Sequence, residues 1–330
     1  MTTTVEKRKI PLKLRFKAWW EGYNLDDMLR QMDWQEDDQE EISDHPDAAP
    51  PDAKKAAPAK KNTPKPLTWN KNRIKINQLI WGMGYCGPGG PEHIESLSKL
   101  LSLTPEMSAL VIGAELGGPC RVLAEKYGVW ITGYEVSTDL VEKANILSKE
   151  ADLDKKAVIT HLDLNDAEPF DRRFDRAFSK ERLYSFQDKK SLLQKTFDAL
   201  KEESLFLMTD YTLSNVEALE DEDVQTWFKM EPTPPYPVTA DIISEMLKDV
   251  GFSVRVNENI SETYIKLITE SWIKAEKIVE DLSKDGTEGI ESISTLMQDA
   301  EFWSLRKKLL KNGLINVSRF LVYKPKKPIR

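Results

Sequence analysis

The chain of 330 residues is poor in thiols and imidazoles, with two cysteines (Cys86, Cys120) and three histidines (His45, His93, His161). Two cysteines cannot build the disulfide framework on which small secreted domains depend, so a reducing, cytoplasmic setting is expected. The histidines are scattered and no His/Cys group has metal-ligand spacing, so no metal is expected. Long apolar runs are also lacking. Nothing approaches the ~18–20 residues of a membrane span. The start, MTTTVEKRKIPLKLRFKAWW, has no apolar signal-peptide core with a small-residue cleavage site. Basic charge is in deficit: 47 Lys and Arg against 55 Asp and Glu, a net charge of −8. Phosphate backbones are bound by clustered cations, so no nucleic-acid partner is expected.

What is present divides the chain into three parts. Residues 1–34 carry an amphipathic element. Leu12, Phe16, Trp19, Trp20 and Tyr23 fall on one helical stripe flanked by Lys13, Arg15 and Lys17, and Asn24 is placed to cap a second short helix. The stripe within residues 10–34 suits docking on the protein's own body or on a protein partner. The competing use is a peripheral position at the inner face of a membrane, with Trp at the headgroups and Lys/Arg snorkelling. Residues 35–67 read as a disordered linker, acidic first and then rich in Ala, Pro and Lys. Residues 68–330 read as a globular domain.

In that domain short apolar runs alternate with helical periodicity. Strands are expected at 109–113, 129–135, 157–163, 174–179 and 204–210, with helices at 117–127, 138–151 and 188–200 between them. A helix at 241–250 and a strand at 252–260 follow. One long helical stretch (262–283), a further helix (288–311) and a last, antiparallel edge strand (313–324) close the chain. This is the pattern of a Rossmann-like α/β fold: a seven-stranded, mostly parallel sheet with helices on both faces.

Ligands of such sheets bind beyond the carboxyl ends of the strands. There the sequence places the turn Gly113-Ala114-Glu115-Leu116-Gly117-Gly118, then Glu135, Asp163, Lys180-Glu181 and Asp210-Tyr211. One acid at a strand end is ordinarily a helix cap; acids at successive ends point to a site. Glu135 lies 22 residues beyond Gly113, where a carboxylate takes ribose hydroxyls. A nicotinamide fingerprint needs G-x-G-x-x-G so that backbone touches pyrophosphate. Here Glu115 stands at the middle glycine and would repel it. S-adenosylmethionine (SAM) has no phosphate and brings an ammonium instead.

The runs ALVIGAELGGPCRVLAEKYGVWITGYEVS, HLDLND and FDRAFSKERLYSFQDKKSLLQKTFDALKEESLFLMTDYTL resemble the ordered motifs of class I SAM-dependent methyltransferases. WGMGYCGPGG (81–90) and MTDYT are similar to those of phosphoethanolamine N-methyltransferases and related small-molecule methyltransferases. The resemblance covers roughly residues 70–325. It implies SAM as cofactor and a small-molecule or lipid-like acceptor, an amine among the options. It implies that Gly113, Gly117 and Gly118 line the methionine end, that Glu135 and Val136 meet the ribose, and that Asp163 and Leu164 meet the adenine. Lys180 and Glu181 fall near the transferring methyl, Tyr85 closes over the site, and Asp210 and Tyr211 face the acceptor. Tyr85, Glu181, Tyr184 and Tyr211 are the candidate general bases.

The chain departs from the family pattern in three ways. The acid expected near the end of the first strand is Val111, the middle glycine is Glu115, and the Tyr–His pair of the phosphobase enzymes is replaced at Asn77 and Ser185. Glu115 is the candidate replacement partner for the SAM ammonium. The alternative reading is a catalytically altered SAM-fold protein that serves as a binding or partner-recruiting module.

Overall fold

The computed structural model describes residues 66–163, 170 and 172–326. The amphipathic element, nearly all of the linker and Leu164 lie outside the described residues.

Seven strands form one sheet in the order β3-β2-β1-β4-β5-β7-β6. They are β1 (Ser108–Ile112), β2 (Trp130–Glu135), β3 (Ala157–His161), β4 (Phe174–Lys180), β5 (Leu200–Leu213), β6 (Ser253–Asn259) and β7 (Ile315–Tyr323). The pairs from β3 to β5 are parallel, while β7 is antiparallel to both β5 and β6. The last strand is therefore inserted between β5 and β6 and is not the edge expected from the sequence. Its burial explains this. Ile315, Val317, Phe320 and Val322 are fully buried, whereas β6 buries no residue completely. The more apolar strand takes the interior place.

The helices are α1 (Lys71–Trp81), α2 (Gly90–Ser98), α3 (Gly118–Tyr127), α4 (Thr138–Glu150), α5 (Lys189–Ala199), α6 (Glu222–Met230), α7 (Ala240–Asp249), α8 (Ser261–Trp272), α9 (Ala275–Leu282) and α10 (Gly286–Lys311). Local chemistry fixes their starts. Asn70 accepts from Arg73 N (2.9 Å), Asp188 from Ser191 N (2.9 Å) and Asp221 from Asp223 N (2.8 Å), satisfying amides that a helix start leaves open. The long helix expected at 262–283 is two helices, because the chain tightens at Ile273, whose N–H reaches the Glu270 carbonyl.

Side chains alternate across the sheet. Leu110, Ile112 and Tyr134 face the core with Leu192 and Leu193 of α5 and Ile243 and Leu247 of α7. The opposite face at Gly133 is filled by Ala114 and by Cys120 of α3. The chain runs outward through β1, β2 and β3 and returns at β4 beside β1. The order reverses there, and a crevice opens beyond the carboxyl ends of these strands.

Candidate active site

The crevice is built around Glu135. The end of β2 buries this carboxylate to 1% exposure. Its Oε2 accepts from Glu115 N (3.0 Å) and its Oε1 from Ser137 N (3.0 Å). Arg182 Nη2 stands 3.5 Å from Oε1. The turn after β1 therefore curls around the side chain expected at the ribose. Glu115 itself adopts φ +50° and Glu181 φ +43°, left-handed backbone that costs a non-glycine residue about 1–2 kcal/mol. Both acids thus sit on strained backbone at strand ends, as functional groups often do.

Of the three glycines expected to line the methionine end, Gly113 alone meets a residue of the crevice. A Cβ there would lie 2.5 Å from Arg182 Cγ. A Cβ on Gly117 would strike Arg121 Nη1 at 2.6 Å, and one on Gly118 would strike the Gly84 carbonyl at 2.5 Å and the Tyr85 ring at 2.9 Å. These two glycines let Arg121 and the 84–85 segment close onto the start of α3.

Two cavities share Arg182. The outer one, about 390 Å³, is lined by Val136, Leu162 and Asp163 from the ends of β2 and β3 and by Ser185, Phe186 and Ser191 near α5. It brings Val136, expected at the ribose, together with Asp163, expected at the adenine; Glu135 does not line it. The inner chamber, about 180 Å³, is lined by Glu115, Glu181, Tyr184 and Tyr211 from the sheet end, and by Arg73 of α1 and Arg306 of α10.

Charges in the inner chamber are held by specific partners. Glu181 Oε2 pairs with Lys180 Nζ at 2.5 Å, and its Oε1 accepts from Thr209 Oγ1 (2.7 Å) and from Tyr264 Oη. Glu115 faces two further carboxylates, Glu181 and Glu135. Burial above all pushes its pKa up to about 7; Lys180 opposes the shift. Arg306 is enclosed by the rings of Tyr211 and Phe302 (both 4.3 Å), Trp303 (4.8 Å), Trp227 (5.5 Å) and Tyr184 (5.8 Å). It forms an ion pair with Glu231, which also accepts from Trp227 Nε1 (2.5 Å) and Tyr184 Oη (3.2 Å). Arg73 pairs with Asp299 at 3.0 Å and stacks on Trp69 at 4.3 Å. Arg73 Nη1 and Arg306 Nε are buried without a hydrogen-bond partner.

Several expected residues sit elsewhere. Tyr85 does not line either cavity; its ring packs on Gly118. Asp210 is fully buried beneath the chamber, where Oδ1 accepts from Tyr184 N (3.1 Å). Asn77 is tied to Asp299 behind Arg73 (2.9 Å), whereas Ser185 lines the outer cavity. Burial raises the phenols of Tyr85, Tyr184 and Tyr211 well above the usual range. Their hydroxyls therefore keep their protons at neutral pH. That leaves Glu181 as the one expected base that is a carboxylate in the chamber.

Residues 92–291, more than half of the chain, match the family described as mycolic acid cyclopropane synthetase. The chain belongs to that family. Its fold is that of class I SAM methyltransferases. The chain is 28% identical over 219 residues to phosphoethanolamine N-methyltransferase 1 of Zea mays, a match covering 66% of this chain and 42% of that protein. Haemonchus contortus phosphoethanolamine N-methyltransferase 2, solved in complex with SAM, superposes with TM-score 0.63 at 20% identity over 77% of this chain and 57% of that one. The cyclopropane synthase MmaA2 of Mycobacterium tuberculosis superposes with TM-score 0.62 at 17% identity, over 77% and 94%. The chain thus spans about half the length of these two phosphoethanolamine enzymes.

Proposed function

We propose that the protein binds SAM in the outer cavity and methylates a small acceptor that carries both an amine and an anionic group. The observation that carries the acceptor reading is the composition of the inner chamber. Glu181 supplies a carboxylate for an ammonium, while Arg73 and Arg306 bring buried N–H groups without partners. An anion would satisfy those donors, which are costly to leave unpaired. About 180 Å³ suits a molecule of a few heavy atoms rather than a lipid chain.

The crevice fits SAM in its donor set. Glu135 suits the ribose, Val136 and Asp163 the adenosine end, and Glu115 the ammonium. SAM supplies an electrophilic methyl when bound. The chain's own part is to orient the acceptor, exclude water and accept a proton; alignment of this kind supplies up to ~7–11 kcal/mol. Arg182 has to leave Glu135 for the ribose to reach it.

Calorimetry with SAM tests the cofactor. No heat at ~1 mM, above ordinary substrate constants, overturns it. Transfer of labelled methyl to phosphoethanolamine, ethanolamine and glycerol phosphate tests the acceptor. Labelling of phosphoethanolamine alone is expected, and equal labelling of ethanolamine removes the anion requirement.

A further inference from the structure

Methylating an ammonium requires that it first lose a proton, and the chamber is closed on that side. Glu181 and Lys180 are buried to 7% and 4% side-chain exposure, and Tyr264 is fully buried. One chain of hydrogen bonds does leave Glu181 for a partly exposed group. Tyr264 Oη reaches Glu181 Oε1, and His93 Nε2 lies 3.3 Å from Tyr264 Oη. The imidazole and phenol rings meet edge to face at 5.3 Å.

His93 is seated for this contact by the turn before α2. A Cβ on Gly89, at φ +127°, would lie 2.6 Å from His93 Cδ2 and 3.1 Å from its Cβ. Glycine there lets the imidazole lie against the backbone and fixes its direction. Glu231, another acid of the chamber wall, meets Arg306, Trp227 and Tyr184, and Tyr184 Oη in turn accepts from Arg306, so these contacts lead to no group that takes up a proton.

We propose that Glu181, Tyr264 and His93 form a proton relay that carries the acceptor's proton from the chamber to solvent; this rests on the amine-acceptor reading above. The N–H bond of the acceptor ammonium breaks and an O–H bond forms on Glu181. Glu181 passes that proton to the Tyr264 oxygen while Tyr264 gives its own to His93 Nε2. His93 releases it to water. No electrons change hands. In the structure the Tyr264 hydroxyl donates to Glu181; once Glu181 carries the acceptor's proton, that hydroxyl turns to His93 Nε2, which accepts in the tautomer with its proton on Nδ1. Burial, followed by the charge of Lys180, depresses the imidazole pKa to about 4; Glu181 acts the other way and Arg319 adds to the depression. The ring is therefore neutral and ready at neutral pH, and it does not retain the proton.

Two readouts test the relay. The first needs no acceptor: nitrogen NMR of the His93 ring in the full chain, wild type against Glu181→Gln and Tyr264→Phe. The Nε2 resonance is expected to move in both, although Glu181 reaches His93 only through Tyr264. An Nε2 signal that ignores Glu181→Gln overturns the relay. The second is kinetic, with phosphoethanolamine and labelled SAM. His93→Ala is expected to lower kcat at least ~10-fold, toward the range of lost proton transfer, with KM kept, and added imidazole should restore it. Tyr264→Phe should lower kcat likewise without rescue. Unchanged kcat in a folded His93→Ala protein overturns the relay. If the wild type leaves phosphoethanolamine unmethylated, the acceptor reading fails and the NMR result alone decides the relay.

Discussion

Replacing Arg182 by alanine should tighten SAM binding. In the structure the Arg182 chain lies over Gly113 and its guanidinium stands 3.5 Å from Glu135 Oε1, with the arginine side chain 18% exposed. In the proposed binding mode the ribose takes the same carboxylate. Bare Coulomb attraction at this separation overstates the obstacle, since water reaches the arginine. The contact is an ion pair at 3.5 Å without a hydrogen bond. It is worth more than an exposed pair and less than a good charge-assisted hydrogen bond, about 1–1.5 kcal/mol, which must be given up before the ribose can bind. At 1.4 kcal/mol per decade, Arg182→Ala should lower the SAM dissociation constant roughly 5- to 10-fold. Glu135 stays ordered in the variant, because Glu115 N and Ser137 N still hold it. Isothermal titration of wild type, Arg182→Ala and Arg182→Lys reads the effect, with the lysine variant falling between. Unchanged or weaker binding by Arg182→Ala would refute the competition and make Arg182 a cofactor ligand.

Three further outcomes are expected. Glu115 has its pKa raised to about 7 in the folded chain, so the folded state holds a proton that the unfolded state has lost between pH ~4.5 and 7. Its contribution to stability therefore falls as pH rises through that window. Pairing with the SAM ammonium reverses the shift, so binding near pH 6.5 should release a proton, read as a buffer-dependent heat that Glu115→Gln abolishes. Glu231→Leu leaves the Arg306 charge buried and unpaired and should cost about 3–5 kcal/mol in urea unfolding, whereas loss below 1 kcal/mol would mean that the surrounding rings carry Arg306 alone. Gly118→Ala, whose new methyl strikes the Gly84 carbonyl and the Tyr85 ring, should expose the 84–85 segment to proteolysis and leave core hydrogen exchange unchanged.

The sheet was legible because β1, β2 and β4 are short, largely buried apolar runs bounded by turn residues, as interior parallel strands have to read, while the edge strand β3 alternates buried and exposed residues. The place of β7 was not. Pairing partners are not written in a strand's own period, and only its burial shows that it is interior. Of the acids at strand ends, Asp163 and Glu181 line the cavities, where topology puts them, whereas Asp210 is buried and lines neither. The arginines were missed, although a signal existed. Phe302, Trp303, Arg306, Leu309 and Leu310 share one buried stripe of α10, and Arg73, Ile76, Asn77, Ile80 and Trp81 share one of α1. A cation on an apolar stripe must find a partner inside. Arg182 gave less warning, because its direction depends on the left-handed turn at Glu181 just before it.

The amide of Gly118 at the head of α3 donates to the Gly84 carbonyl at 2.9 Å. The first helical N–H after the cofactor turn is thus tied to the segment that precedes α2, and the same segment carries Cys86 and Gly87 into the chamber wall. Lifting that segment to admit an acceptor would loosen the cofactor turn in the same movement. Turnover on such a scaffold should be strictly ordered, with SAM entering first and its demethylated product leaving last. Product inhibition by S-adenosylhomocysteine should then be competitive toward SAM and noncompetitive toward the acceptor.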